Sequence, residues 1–195
     1  MKKITLAIAA AAFVTAAFAQ EGTSRRSDRK IFELKKIITI SPTQEEAIRT
    51  AYEAYSATTD SILYDVQDPL QAARLTRANK RRYDETFMKT LTDAQRNRYI
   101  RVTSTPEVEE KAASRVAVMR ESGDFTQAQL DSAQRSIFEY LMLEKIVYKR
   151  DKYDYRKQRE NITQLKARRP RDLQRAEAQE KARIMRKHYQ GRIQW

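Results

Sequence analysis

The densest run of chemically useful side chains lies late in the chain. Lys149, Arg150, Lys152, Arg156, Lys157 and Arg159 interleave there with Tyr148, Tyr153 and Tyr155. Cations set among aromatic rings bind without covalent chemistry, by long-range attraction followed by ring contact. Such a surface suits single-stranded nucleic acid, an acidic flexible polypeptide or the phosphates of a lipid surface. The candidate partner-binding residues are therefore Lys149, Arg150, Lys152, Tyr153, Arg156, Lys157 and Arg159. Tyr148 and Tyr155 are seven positions apart and are expected in a helical core, with Tyr153 exposed.

The side chains for catalysis are scarce. Cysteine is absent, which excludes a thiol nucleophile, a thiolate metal site and a disulfide framework. His188 is the only histidine and sits in the basic stretch Arg186-Lys187-His188-Tyr189. The three glycines are scattered, so no loop cradles phosphate. Carboxylates are plentiful, but in helices this charged they fall four residues from Lys or Arg as ordinary surface pairs. We therefore expect no catalytic residue, no metal ligand set and no cofactor, and a binding protein rather than an enzyme.

Charge points the same way. The chain carries +13, and seventeen basic against six acidic residues lie between Lys145 and Trp195, while Gln20 to Glu144 holds twenty of each. The excess is thus confined to the last quarter of the chain, where its field attracts anionic partners. Lys2 and Lys3, the apolar run Ile4 to Ala16 and the small-x-small triplet Ala17-Phe18-Ala19 read as a secretory signal peptide over residues 1–19. The expected location is a bacterial periplasm, in soluble form, and export argues against nucleic acid as the partner.

The elements that position these residues are announced by a repeated pattern. Ile40-Ser41-Pro42-Thr43-Gln44, Leu91-Thr92-Asp93-Ala94-Gln95 and Phe125-Thr126-Gln127-Ala128-Gln129 each read apolar, hydroxyl, any, any, Gln. This is a capping box: the hydroxyl accepts from the backbone N–H three residues on, and the Gln reaches back to the cap's own N–H. The motif and cap residues are Ile40, Ser41, Gln44, Leu91, Thr92, Gln95, Phe125, Thr126 and Gln129. Apolar steps of three and four follow each box, and no segment alternates with period two. We expect an all-α fold of long amphipathic helices in bent hairpins, with two diverged hairpin repeats offset by eighty-five residues.

Residues 20–39 read as a flexible N-terminal arm and lead-in, 40–169 as the helical domain, and 170–195 as a basic C-terminal helix. Asp68-Pro69 should end the first capped helix. Pro69 to Lys89 should form the next, with Leu75, Tyr83 and Phe87 on its apolar side. Thr103-Ser104-Thr105-Pro106 reads as a break, and Gly123 as a left-handed helix end. The third box should open the longest helical run, extending past Ile162 toward Pro170.

With its leader, helical pattern, basic balance and repeated boxes, the chain resembles the Spy/CpxP family of periplasmic proteins, known for an LTxxQ motif. Leu91-Thr92-Asp93-Ala94-Gln95 matches that motif in full. The boxes at Ile40 and Phe125 match with conservative changes. The resemblance covers Ile40 to Gln164. It implies a homodimer shaped like a shallow cradle and ATP-independent chaperone or envelope-stress functions, with unfolded or envelope proteins as partners. The competing expectation is a structural or regulatory envelope protein whose basic C-terminal region docks on an anionic envelope surface or a membrane sensor. The chain departs from the family in its third box and its basic tail.

Overall fold

The pattern of caps and apolar steps is realised as helices throughout. The computed structural model describes residues 25–192, so the proposed leader at 1–19 lies outside the described residues. Among these, seven helical segments and no strand occur, and the fold is all-α. We number them α1 (25–35), α2 (Pro42–Asp65), α3 (Pro69–Thr90), α4 (Asp93–Glu121), α5 (Gln127–Arg150), α6 (Tyr155–Lys166) and α7 (Arg171–Arg192). The chain divides into two units between Arg98 and Tyr99, inside α4.

In the first unit, Pro42 opens α2 just after its cap, and Asp68 caps α3 by accepting from the Leu70 N–H at 2.9 Å. The two helices join through rings. Tyr83 stacks on Tyr55 at 5.0 Å and on Phe87 at 6.1 Å, and Tyr52 meets it edge-on at 5.8 Å. Such contacts add to the area they remove from water. Ile48, Ile62, Tyr83 and Phe87 are buried as their spacing requires. Leu75 instead lies in solvent, and the buried position one turn later is Asn79. An amide can occupy that place because its three hydrogen bonds are made inside the unit.

Within the arm and lead-in expected at 20–39, residues 25–30 are a correction, being helical rather than flexible, while the helix continues into the lead-in as far as residue 35. Ser27, Ile31 and Leu34 are buried. The segment is held by partners far along the chain. Ser27 Oγ donates to Glu53 Oε1 at 2.9 Å, Arg49 pairs with Asp28, and Lys35 with Glu45. Polar composition alone could not reveal those contacts.

In the second unit, Ala112, Val116 and Met119 of α4, Leu130, Ala133, Ile137 and Tyr140 of α5, and Leu173 and Ala176 of α7 form one core. Small residues at Ala112, Ala133 and Ala176 let the helices approach. Ion pairs Arg115–Glu180 and Glu121–Arg183 tie α4 to α7 at the rim. Gly123, at φ +76°, turns the chain out of α4 in the left-handed conformation that glycine adopts without strain.

Two boundaries differ from the sequence reading. Residues 103–106 do not break the chain: α4 runs for 29 residues with Pro106 inside, and it is the longest helix described. Proline removes one helical N–H and crowds the preceding turn. Ser104 and Val108, both buried, hold the helix on either side, and Thr103 and Thr105 donate to the carbonyls of Tyr99 and Arg101 at 2.8 Å. Conversely, the run from the third box stops at Arg150, and a corner at Asp151–Asp154 separates α5 from α6. Tyr155 lies beyond that corner, out of the α5 register, and is exposed rather than core; Tyr148, still on α5, is exposed as well, and Tyr153 is half-buried rather than exposed.

Candidate functional site

The three boxes differ in what their glutamines do. At the first, Ser41 Oγ accepts from the Gln44 N–H at 3.1 Å and Gln44 Oε1 accepts from the Ser41 N–H at 3.0 Å. At the second, Thr92 Oγ1 accepts from the Gln95 N–H at 3.2 Å and Gln95 Oε1 accepts from the Thr92 N–H at 2.8 Å. The amide groups then cross. Gln44 Nε2 donates to Gln95 Oε1 at 2.9 Å and to the Thr90 carbonyl at 2.8 Å. Gln95 Nε2 donates to Gln44 Oε1 at 3.1 Å and to the Thr39 carbonyl at 2.6 Å. Each glutamine thus caps its own helix, meets the other, and satisfies the carbonyl two residues before the other's cap.

The third box is local. Among the described residues the side chains of Thr126 and Gln129 bond within the box, with Thr126 N–H donating to Gln129 Oε1 at 2.8 Å. The apolar positions also divide. Leu91 is buried, Ile40 half-buried, and Phe125 packs on the core of the second unit. The boxes joined in space are therefore the first and second, whereas sequence alignment paired the first with the third.

The candidate binding residues gather around the α5–α6 corner, where they take four different roles. Arg150 is structural. Its Nε and Nη2 donate to the two carboxylate oxygens of buried Asp151 at 2.9 and 2.8 Å, and Asn161 Nδ2 adds a bond of 2.8 Å. Burial pushes the Asp151 carboxyl up, but the bonds from Arg150 and Asn161 and the arginine charge outweigh it and leave it below its ordinary value. Lys149 is half-buried, and burial, with repulsion from Lys145, holds its ammonium below its ordinary value. Lys152 lies over the Tyr153 ring at 4.8 Å.

The remaining three, Arg156, Lys157 and Arg159, project from α6 into solvent. Arg156 makes a surface pair with Glu160 at 3.3 Å, while Asp154 caps the helix at the Lys157 N–H. Exposed Tyr155 and Tyr148 stand beside them in sequence. The corner therefore presents exposed cations and tyrosine rings beside a backbone turn held by the bonds of Asp151. Among the described residues no group of three His, Cys, Asp or Glu side chains is placed to hold a metal ion.

A second feature escaped the sequence reading. Between α2 and α3 of the first unit lies a solvent-open groove of about 260 Å³. Ala51, Ala54, Tyr55 and Thr58 line one side, Asn79, Arg82, Tyr83 and Thr86 the other. Asn79 Nδ2 donates to the Tyr55 carbonyl at 2.9 Å and to Thr59 Oγ1 at 3.0 Å, and its Oδ1 accepts from Arg82 Nη2 at 3.1 Å. The only signal in the sequence is Asn79 standing where an apolar residue belongs on the α3 stripe.

No protein-family model matches this chain, and neither the curated proteins nor the solved structures include a significant match. No described helix is long and apolar enough to cross a membrane.

Proposed function

We propose that the protein is an exported, ATP-independent helical binding protein of the Spy/CpxP kind, which holds unfolded or envelope proteins. The observation that carries this reading is the surface at the α5–α6 corner. Tyr148 and Tyr155 are exposed by 45% and 77%, beside solvent-facing Arg156, Lys157 and Arg159. Exposed rings and cations that attract acidic segments together suit flexible polypeptide without shape specificity. The joined boxes add support, since the glutamine of the full LTxxQ match, Gln95, is used for more than capping its own helix. Suppression of the aggregation of a denatured model client, with no nucleotide added, tests the reading directly. A protein that leaves the aggregation curve unchanged at excess concentration would rule it out.

A second reading has its own observation. Lys166, Arg168, Arg171 and Arg175, around the α6–α7 junction, are exposed. These cations suit docking on an anionic envelope surface. Cosedimentation with anionic vesicles, absent with neutral ones, distinguishes this role from client holding.

A further inference from the structure

We infer that the α2–α3 groove is a receptor for one aromatic side chain adjoining a carboxylate, supplied by an acidic, aromatic stretch of unfolded polypeptide. The inference rests on the holding function proposed above and names a class of segment that would be held.

Size sets the first limit. At about 260 Å³ the groove falls below the range of ordinary small-molecule sites, so it suits one side chain rather than a whole cofactor. Its opening to solvent lets a chain enter and leave on either side of that residue. The walls set the second. Half-buried Tyr55, backed by buried Tyr83 at 5.0 Å, offers aromatic surface, and Ala54 keeps the α2 rim low. Thr58 and Thr86 already donate to the carbonyls of Ala54 and Arg82 at 2.8 and 2.9 Å, which removes their O–H groups as donors.

The cation sets the third limit. A guanidinium has five N–H donors. Arg82 uses one, to the neutral oxygen of Asn79. The acids that follow it on α3 are engaged elsewhere: Asp84 by Lys80 and Glu85 by Arg81. Among the described residues no carboxylate pairs with Arg82. Asn79 is only 3% exposed, and both its amide hydrogens are held by α2, so it fixes the arginine from a rigid base. The result is an oriented, unneutralised fork at the edge of an aromatic groove. Carboxylate is the complement of such a fork, and two parallel bonds form without reorganisation.

The test uses the whole exported chain and fluorescence anisotropy of short labelled Gly/Ser peptides carrying Phe-Glu, Phe-Lys or Ala-Glu pairs. The Phe-Glu peptide should bind best. Arg82→Gln should weaken it about tenfold or more, the scale of one lost charge-assisted bond. Ala54→Leu, which fills the groove from an exposed position, should weaken it comparably while leaving the thermal melt intact. Arg74→Gln, on the same helix outside the groove, should leave binding unchanged. Equal affinity in wild type, Arg82→Gln and Ala54→Leu overturns the assignment, as does equal binding of the Phe-Lys peptide. Binding of free 3-phenylpropionate as tight as the peptide also overturns it, in favour of a small acid. Loss of Phe-Glu binding in both groove variants supports the receptor even if wild type fails to suppress aggregation, a failure that would count against the holding function alone. Suppression by wild type with unaltered peptide binding in both variants overturns the receptor and leaves the holding function standing.

Discussion

Gln44 and Gln95 hydrogen-bond each other in both directions, at 2.9 and 3.1 Å, across fifty-one residues of sequence. Two helix starts, α2 and α4, are thereby made one structural joint. Deleting either amide removes a cap bond, both cross bonds and a bond to a distant carbonyl. At about 0.5–1.5 kcal/mol per bond, losing these four bonds in Gln44→Ala or in Gln95→Ala should cost about 2–6 kcal/mol in urea unfolding, toward the lower end because the cap bonds are exposed to water. The double variant should cost less than the sum, by about 0.5–2 kcal/mol, because the cross bonds are lost only once. Gln129→Ala, which loses a local cap alone, should cost about 1 kcal/mol or less. Strict additivity of Gln44→Ala and Gln95→Ala would contradict the joint.

Pro106 lies within continuous helix, between buried Ser104 and Val108. Replacing it by Ala restores a backbone N–H and relieves crowding, so Pro106→Ala should stabilise the protein by about 1–3 kcal/mol and raise its melting temperature. A neutral or destabilising result would indicate a helix end at this point.

The extent to which this fold was legible in its sequence follows the range of the interactions. Ser41, Thr92 and Thr126 were readable as caps because capping is settled within four residues. Asp68-Pro69 and Gly123 were readable because their backbone preferences are local. Residues 25–30 were misjudged because their partners, such as Glu53 for Ser27 and Arg49 for Asp28, lie far along the chain, and Pro106 because the flanking residues that hold its helix are recognised only once buried. The α5–α6 corner was missed because Asp151 and Asn161 look like surface residues until they face each other ten positions apart. Of the candidate binding residues, Arg156, Lys157 and Arg159 face solvent as a charge run suggests, whereas Arg150 is taken up by Asp151. Arg82 was hidden because nothing local distinguishes it from Arg81, whose own neighbour is an acid.

Acid should loosen the second unit in two places. The Asp151 carboxyl sits below its ordinary value of 3.8, so its contribution is complete above about that pH and is lost as pH falls through the lower, folded value. Glu107 accepts from Lys111 and Lys145, both at 2.7 Å, and these bonds bring it from 4.5 down to about 2. Its contribution is present above pH 4.5 and fades toward pH 2. Asp151→Asn should flatten the fall in melting temperature below pH 4, and it should lower stability at pH 7, where Arg150 loses its charged partner. Glu107→Gln should flatten the same fall with little loss at pH 7, since its pair is exposed to solvent and salt. Unchanged acid profiles in both variants would show that these carboxylates do not govern the response.

Capture of a partner at the corner should begin electrostatically and be completed by apolar contact. The measurement that bears most directly on this is stopped-flow capture of an acidic, unfolded client at low and high salt. Wild type is compared with a variant carrying Lys152→Gln, Arg156→Gln, Lys157→Gln and Arg159→Gln, with Arg150 retained to keep the Asp151 corner intact. Raising salt to physiological strength shortens the screening length to about 8 Å and should slow the wild type. The variant should remain helical, capture more slowly at low salt, and lose most of the salt dependence. Equal capture rates for the two proteins at low salt would contradict a binding role for this surface.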